Sequence, residues 1–320
     1  MPLVSVIVSA YNRPEMLRSS LQSLVNQTYT ELEILVQDDS TNDECTRIVA
    51  ALNDPRITYT HNRPSLGTLS NLRAGYRRAI GKYVCTLNDD DLYTPTYLAA
   101  MVSALEAHPE CCLAFSDHFI IDDLGTIDLH ASDLNTARFG RDRLSAGVIQ
   151  DPMKLALVDK SIPGMFAVYR CSEMDFADFP DESSSGYDFW LTYLAIRSGS
   201  SVFYSPQRLT SYRVHPGSQT MSFVDPQRRL RSLAYDLFTH TRLHQDSRLQ
   251  RIWPALAERL ASIRVSTGSA HLQLGQKGIA RTQFREAMRL RPGLRPAIGL
   301  LMAALPGSLS KAILQAQANR

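Results

Sequence analysis

The chain opens on Val4–Val8, a β-branched apolar run of strand length, and turns at Asn12–Arg13–Pro14. Beyond the turn, Leu17, Leu21, Leu24 and Val25 fall on one helical face, and Pro14 suits that helix's first turn. The alternation then repeats. Glu33–Val36 reads as a strand ending in Gln37–Asp38–Asp39–Ser40, a helix runs through Ile48 and Leu52, and Arg56–Tyr59 reads as a strand. A helix over about Leu69–Ala79 leads to a buried strand, Lys82–Leu87, then a helix over Pro95–His108 and a strand over Cys111–Ile121. Strands alternating with helices predict an α/β fold, a mostly parallel sheet flanked by helices. The periodicity fades in Asp122–Gln150, which reads as a polar, variable loop region over the site. Ser161–Arg170 reads as a strand or loop-strand. Gly186–Arg197 is an amphipathic helix with Phe189, Trp190, Tyr193 and Leu194 on its apolar side. Val202–Tyr204 and Leu209–Val214 read as two short strands. From about Pro226 the pattern is helical, so two domains are expected, 1–225 and 226–320.

In such sheets ligands bind beyond the carboxyl ends of strands. Tyr11, Asp39 and the run Asp89–Asp90–Asp91 each sit just past a strand, so three polar clusters converge on one edge. Three adjacent carboxylates repel, and burying them is costly without a compensating cation or donor. A divalent metal such as Mg²⁺ or Mn²⁺ supplies that compensation, because hard cations take carboxylate oxygens and share them with phosphates. A solvated acidic turn or a helix N-terminus uses the same residues, and this segment alone fits either reading.

Composition narrows the field. The formal net charge of the 320 residues is +2, which gives no sign of a nucleic-acid binder. The charge is uneven: residues 251–320 carry eleven Lys/Arg and two Asp/Glu, a net of +9, leaving −7 for the first 250. Five cysteines, two of them adjacent and none in a C-x-x-C pair, fit reduced thiols and no zinc site. Cys85, Cys111 and Cys112 lie in apolar runs as core fillers. The first residues lack the features of a signal peptide, and no run approaches the roughly 18 apolar residues that span a bilayer. A cytoplasmic protein, soluble or peripheral on the inner face of the membrane, is expected.

The ordered blocks Val4–Asn12, Leu24–Tyr29, Glu31–Thr41, Gly67–Asn71 and Ala79–Val84, followed by Asn88–Asp89–Asp90–Asp91–Leu92–Tyr93–Thr94–Pro95, resemble the inverting nucleotide-sugar glycosyltransferases of family two, over about residues 3–220. The resemblance implies the GT-A fold, a Rossmann-like mixed sheet, here with a C-terminal all-helical extension. It implies a UDP- or dTDP-sugar donor, a glycan, lipid-linked saccharide or protein as acceptor, and Mn²⁺ or Mg²⁺ as cofactor. Ala10, Tyr11, Asn12 and Arg13 would line the nucleotide, with Tyr11 stacked on the base and Asp39 accepting the pyrimidine imide N–H. Asn71 matches a family position, and Arg213 would pair with phosphate. Asp90, with Asp91 and His215, would hold the metal, His215 alternatively contacting the diphosphate, and Asp89 the ribose or the metal's surroundings. Asn88 replaces the Asp that often begins this motif, which leaves the ligand assignment among the three carboxylates open. Asp188 would be the general base; Tyr187 departs from the commoner Glu, and a helix cap is the competing role. Tyr212–Thr220 matches a further block.

Gly268, Ala280, Phe284, Ala287 and Pro292 have the spacing of one tetratricopeptide-like helix pair. About three such units are normally needed for stability, so this one is expected to pack on the catalytic domain or on another subunit in a homo-oligomer. Arg281, Arg285 and Arg289 form a basic stripe that, with Leu300–Leu305, suits an anionic membrane surface; a solvated basic face beside a core helix is the plainer reading. The functional alternative to transfer is a catalytically degenerate nucleotide-sugar-binding module acting through this helical tail.

Overall fold

The computed structural model describes residues 1–215 and 226–305, without the side chains of Ser184, Ser185, Pro226 and Arg228. It divides into two compact units, Met1–His215 and Pro216–Arg320.

The first unit is a sheet of ten strands with helices on both faces. It begins β1 (Val4–Ala10), α1 (Pro14–Val25), β2 (Leu32–Asp38), α2 (Glu44–Leu52), β3 (Ile57–His61), α3 (Thr68–Arg78) and β4 (Tyr83–Asn88). β1 lies at the centre of this half, parallel to β2 on one side and β4 on the other; β3 is parallel to β2. Both faces of β1 are covered, which is why it reads as an unbroken apolar run. Val4, Val6 and Val8 join the core with Leu17, Leu21 and Leu24 of α1. On the other face α3 approaches so closely that a Cβ on Gly75 would lie 2.6 Å from Ile7 Cγ2.

The chain continues through β5 (Leu92–Tyr93), α4 (Tyr97–Ala107), β6 (Cys111–Ile121), β7 (Ile127–Asp128), α5 (Leu129–Arg138), β8 (Gly147–Ile149), α6 (Met153–Leu157), β9 (Ala167–Arg170), α7 (Tyr187–Ile196) and β10 (Ser201–Arg213). The sheet order is β3-β2-β1-β4-β9-β6-β10-β5, with β7 on β6 and β8 on β10. The acidic turn is therefore strapped at both ends: it leaves β4 and re-enters the sheet as β5, antiparallel to Thr210 and Ser211 of β10. Trp190 of α7 is fully buried, its indole N–H donating to the Asp178 carbonyl at 2.7 Å.

Two stretches differ from expectation. Asp122–Gln150 is not one loop: it holds β7, α5, a 3₁₀ turn at Arg141–Arg143 and β8. Its helix starts on the Asp128 side chain, which accepts from the Ala131 N–H, but its apolar residues Leu129 and Leu134 are exposed, so no apolar face marks it. The two short strands near 202 and 209 are one strand, β10, whose pairing with β6 shifts around Ser205–Arg208, where Pro206 cannot donate to the ladder.

The second unit is helical: α8 (Pro226–Gln245), α9 (Trp253–Gln273), α10 (Lys277–Leu290) and α11 (Leu294–Ala304). Phe284 is its pivot, 1% exposed beside Leu272, Ala280 and Ala303. The ring fits because its neighbours at Gly268 and Gly299 lack a Cβ, which would fall 2.8 and 2.4 Å from it. Trp253 opens α9, its indole N–H donating to the Asp246 carbonyl at 3.2 Å. No helix among the described residues is long and apolar enough to cross a membrane. Pro216–Thr220, matched above to a family block, and the segment beyond Leu305 lie outside the described residues.

Candidate active site

β1, β2 and β4 run parallel, so their carboxyl ends reach the same edge. There the Asp89 carboxylate accepts the Tyr11 N–H at 2.9 Å and Arg13 Nη1 at 2.9 Å. The same guanidinium nitrogen donates to Asp90 Oδ2. His215 reaches that Asp90 oxygen from beyond β10, with Nε2 at 3.2 Å. Asp90, Asp89, Arg13 and His215 thus form one cluster whose repulsion is offset by the guanidinium. Burial pushes the Asp89 carboxyl up to about 7; Arg13 opposes this and Asp90 adds to it.

Asp91 is turned inward. It is fully buried, accepts the Arg213 N–H at 3.0 Å and the Asn88 amide at 3.1 Å, and burial raises its carboxyl well above the usual range. In this arrangement it ties β4 to β10, and the charge of Asp90 adds to its rise. Arg213 is likewise internal: Nε donates to the Asp90 carbonyl at 2.8 Å and Nη1 to the carbonyls of Asp122 and Asp123 at 2.8 and 3.0 Å. The fork expected on phosphate holds backbone instead. Asn71, 2% exposed, donates to the Gln37 carbonyl at 2.8 Å and accepts from Asn62, so it braces the end of β2.

At the β1 end, Ala10 is buried and Tyr11 is 52% exposed, leaving a ring face open beside the acidic turn. Asn12 adopts φ +54°, a conformation Asn tolerates better than most residues. Its N–H donates to Ser40 Oγ at 2.8 Å and its side-chain oxygen accepts the Thr41 N–H at 3.0 Å. Asp39 accepts from Asn62, Ser65, Leu66 and Gly67. Sequence reading missed this ring of donors; the one signal was Gly67, which stands at φ +80°.

Asp188 lies in the first turn of α7 and is half-buried. Burial raises its carboxyl, opposed by the Phe189 amide and then by Lys160. Its charge is felt by the phenols of Tyr76, Tyr169 and Tyr187. Its neighbour Tyr187 is what reaches the acidic turn, donating to Asn88 at 2.7 Å.

A divalent cation would find two protein ligands here, the Asp90 carboxylate and the His215 imidazole. No group of three His, Cys, Asp or Glu converges on a metal position among the described residues. The fit is therefore to a cation that draws its other ligands from phosphates and water, as Mg²⁺ commonly does.

The Asp89 environment has a thermodynamic consequence. Its carboxyl titrates near 7 in the folded chain and near 3.8 as a free side chain, so the folded state binds more protons between those values. Stability of the ligand-free protein should fall as pH rises from about 4 to about 7, by a few kcal/mol at most. A melting-temperature profile over that range checks this. Asp89→Asn should make it shallower, with the buried carboxyls of Asp91 and Asp188 keeping a slope of the same sign, and an unchanged slope would assign the effect to those groups.

The sequence pattern of the family described as "Glycosyl transferase family 2" matches residues 5–158. An uncharacterized glycosyltransferase of Haemophilus influenzae is 30% identical over 228 residues, 69% of this chain and 68% of that protein. Among solved structures, residues 1–349 of S. aureus TarS in complex with UDP-GlcNAc superpose with a TM-score of 0.68 at 14% identity, covering 98% of this chain and 92% of that one. The mannosyltransferase PcManGT from Pyrobaculum calidifontis, in complex with GDP-Man and Mn²⁺, gives 0.58 at 18% identity, covering 95% and 79%. At these identities the two structures establish the shared GT-A architecture.

Proposed function

The chain belongs to glycosyltransferase family 2, and from that premise we propose that it is a metal-dependent, inverting enzyme that moves a sugar from UDP or dTDP to a hydroxyl of a glycan, a lipid-linked saccharide or a protein. The observation that carries this reading is the cluster of Asp89, Asp90, Arg13 and His215 at the carboxyl edge of the sheet. Bound Mn²⁺ or Mg²⁺ would neutralise charge on the departing diphosphate, held by Asp90 and His215. Arg13 supplies a cation to the same place, and Asp89 positions Arg13 and the backbone of Tyr11. The exposed Tyr11 ring offers the base a stacking face. Asp188 is the proposed proton acceptor for the attacking hydroxyl: a carboxyl raised by burial works closer to neutral pH than an ordinary one. Direct attack assisted by one base inverts the anomeric centre.

Calorimetry with UDP, dTDP, GDP and ADP, each with and without Mn²⁺, tests the proposal. Metal-stimulated binding confined to UDP or dTDP is expected. Binding of UDP with no turnover across donors would turn the reading to a nucleotide-sugar-binding module, and no binding to any of the four would overturn both.

The second unit is proposed as a contact to an anionic membrane surface. Leu294, Ile298 and Leu301, at i, i+4 and i+7 of α11, are 81, 54 and 68% exposed. Arg281, Arg285 and Arg289 are exposed along α10. Basic side chains near such a surface contribute roughly 1 kcal/mol each. Reversing all three arginines to Glu should therefore lower binding to phosphatidylglycerol vesicles by about a hundredfold or more in a flotation assay. Unchanged flotation would leave this face to protein packing.

A further inference from the structure

Asp39 is 3% exposed, and each of its oxygens already accepts two hydrogen bonds from the segment that follows β3. Oδ1 takes Asn62 Nδ2 at 2.9 Å and the Leu66 N–H at 3.1 Å; Oδ2 takes Ser65 Oγ at 2.9 Å and the Gly67 N–H at 2.7 Å. A carboxylate offers about four acceptor positions, and all are filled. A pyrimidine imide N–H that donates to this carboxylate must therefore displace a donor that is already there.

We infer that the base enters by exchange: its imide N–H takes the position on Asp39 that the Ser65 hydroxyl holds, and nucleotide binding releases the Ser65 side chain. This inference rests on the assignment of Asp39 as the group that reads the base. The other three donors are harder to remove. Leu66 and Gly67 donate through backbone amides, which keep their place unless the loop itself moves. Asn62 is held twice, because its amide also donates to Asn71 Oδ1 at 2.7 Å, and Asn71 is fixed on the Gln37 carbonyl. Ser65 is exposed, its hydroxyl rotates freely, and water can replace its lost partner.

The exchange discriminates by chemistry. Uracil and thymine carry a proton on the ring nitrogen and can replace a donor one for one. Cytosine carries none there, so it would set a lone pair against a carboxylate. The preference itself comes from Asp39; the bond Ser65 gives up to an imide N–H offsets part of what uracil gains, so Ser65 holds UDP affinity down and narrows its margin over CDP.

Calorimetry with UDP and CDP in Mn²⁺, on the full chain and its Ser65→Ala and Asp39→Asn variants, tests this. With the competing hydrogen bond gone, Ser65→Ala should bind UDP about three- to tenfold more tightly, the worth of one such bond, and CDP as before. Asp39→Asn should weaken UDP at least tenfold. Unchanged or weaker UDP binding by Ser65→Ala, with Asp39→Asn still impaired, would mean that the base reaches Asp39 without exchange; the inference falls and the base assignment stands. Equal tightening of UDP and CDP also overturns the exchange. Wild-type UDP affinity in both variants removes the base assignment itself. Should Asp39→Asn fail to fold, the UDP-to-CDP ratio in Ser65→Ala decides alone.

Discussion

Asp90→Ala should lose the stimulation of UDP binding by Mn²⁺ and reduce sugar transfer by roughly two to three powers of ten. Asp90 is the carboxylate that both Arg13 and His215 address, and its side chain is partly open, at 15% exposure. Asp91 is buried on the Arg213 N–H and the Asn88 amide, and Asp89 already accepts the Tyr11 N–H and Arg13. Charge stabilisation of a leaving diphosphate is worth several kcal/mol, which sets the size of the expected loss. The fold should survive. Asp91 still ties β4 to β10, and Asp89 still holds Tyr11 and Arg13, so the melting temperature should shift little. The check is a Mn²⁺ titration of UDP affinity beside steady-state transfer. A variant with intact Mn²⁺-stimulated affinity would remove Asp90 from the metal role.

Asp188→Asn should leave donor binding intact and cut transfer at least a hundredfold, within the range of about 10²–10⁴ that general-base catalysis contributes. The substitution keeps size and most hydrogen bonding while removing the ability to accept a proton. It also separates the two roles the structure allows for this residue. A carboxylate in the first turn of a helix interacts favourably with the free amides there; if that were its whole contribution, the variant would lose about 1 kcal/mol of stability and transfer would stay near normal. Rate and melting temperature measured on one preparation distinguish the two outcomes.

Much of this architecture was legible because the first half of the chain is locally consistent. The apolar runs of β1, β2 and β4 are buried on both faces, and each ends where a polar residue begins. What escaped was set by tertiary contact. Between residues 122 and 150 a helix forms with exposed leucines, so periodicity had nothing to register. Asp91 and Arg213 look in sequence like surface chemistry, a third carboxylate and a phosphate fork. Both are spent inside, because the sheet brings β4 and β10 together around the acidic turn and their backbone needs partners there. Asp39 looks like a free acceptor until the chain returns at Asn62–Gly67, more than twenty residues later, and fills it. A spacing rule carries no information about which donors will arrive from elsewhere.

The two tryptophans give the molecule a built-in optical record. The chain has only Trp190 and Trp253, and they fall one in each compact unit. Trp190 is sealed from solvent while Trp253 keeps partial access, so the first should emit toward the blue and the second be the more readily quenched by iodide. Replacing Trp253 with Phe leaves a chromophore that reads the catalytic unit alone, and replacing Trp190 leaves one for the helical unit. Melting curves of the two variants then report each compact unit by itself, without a label on either.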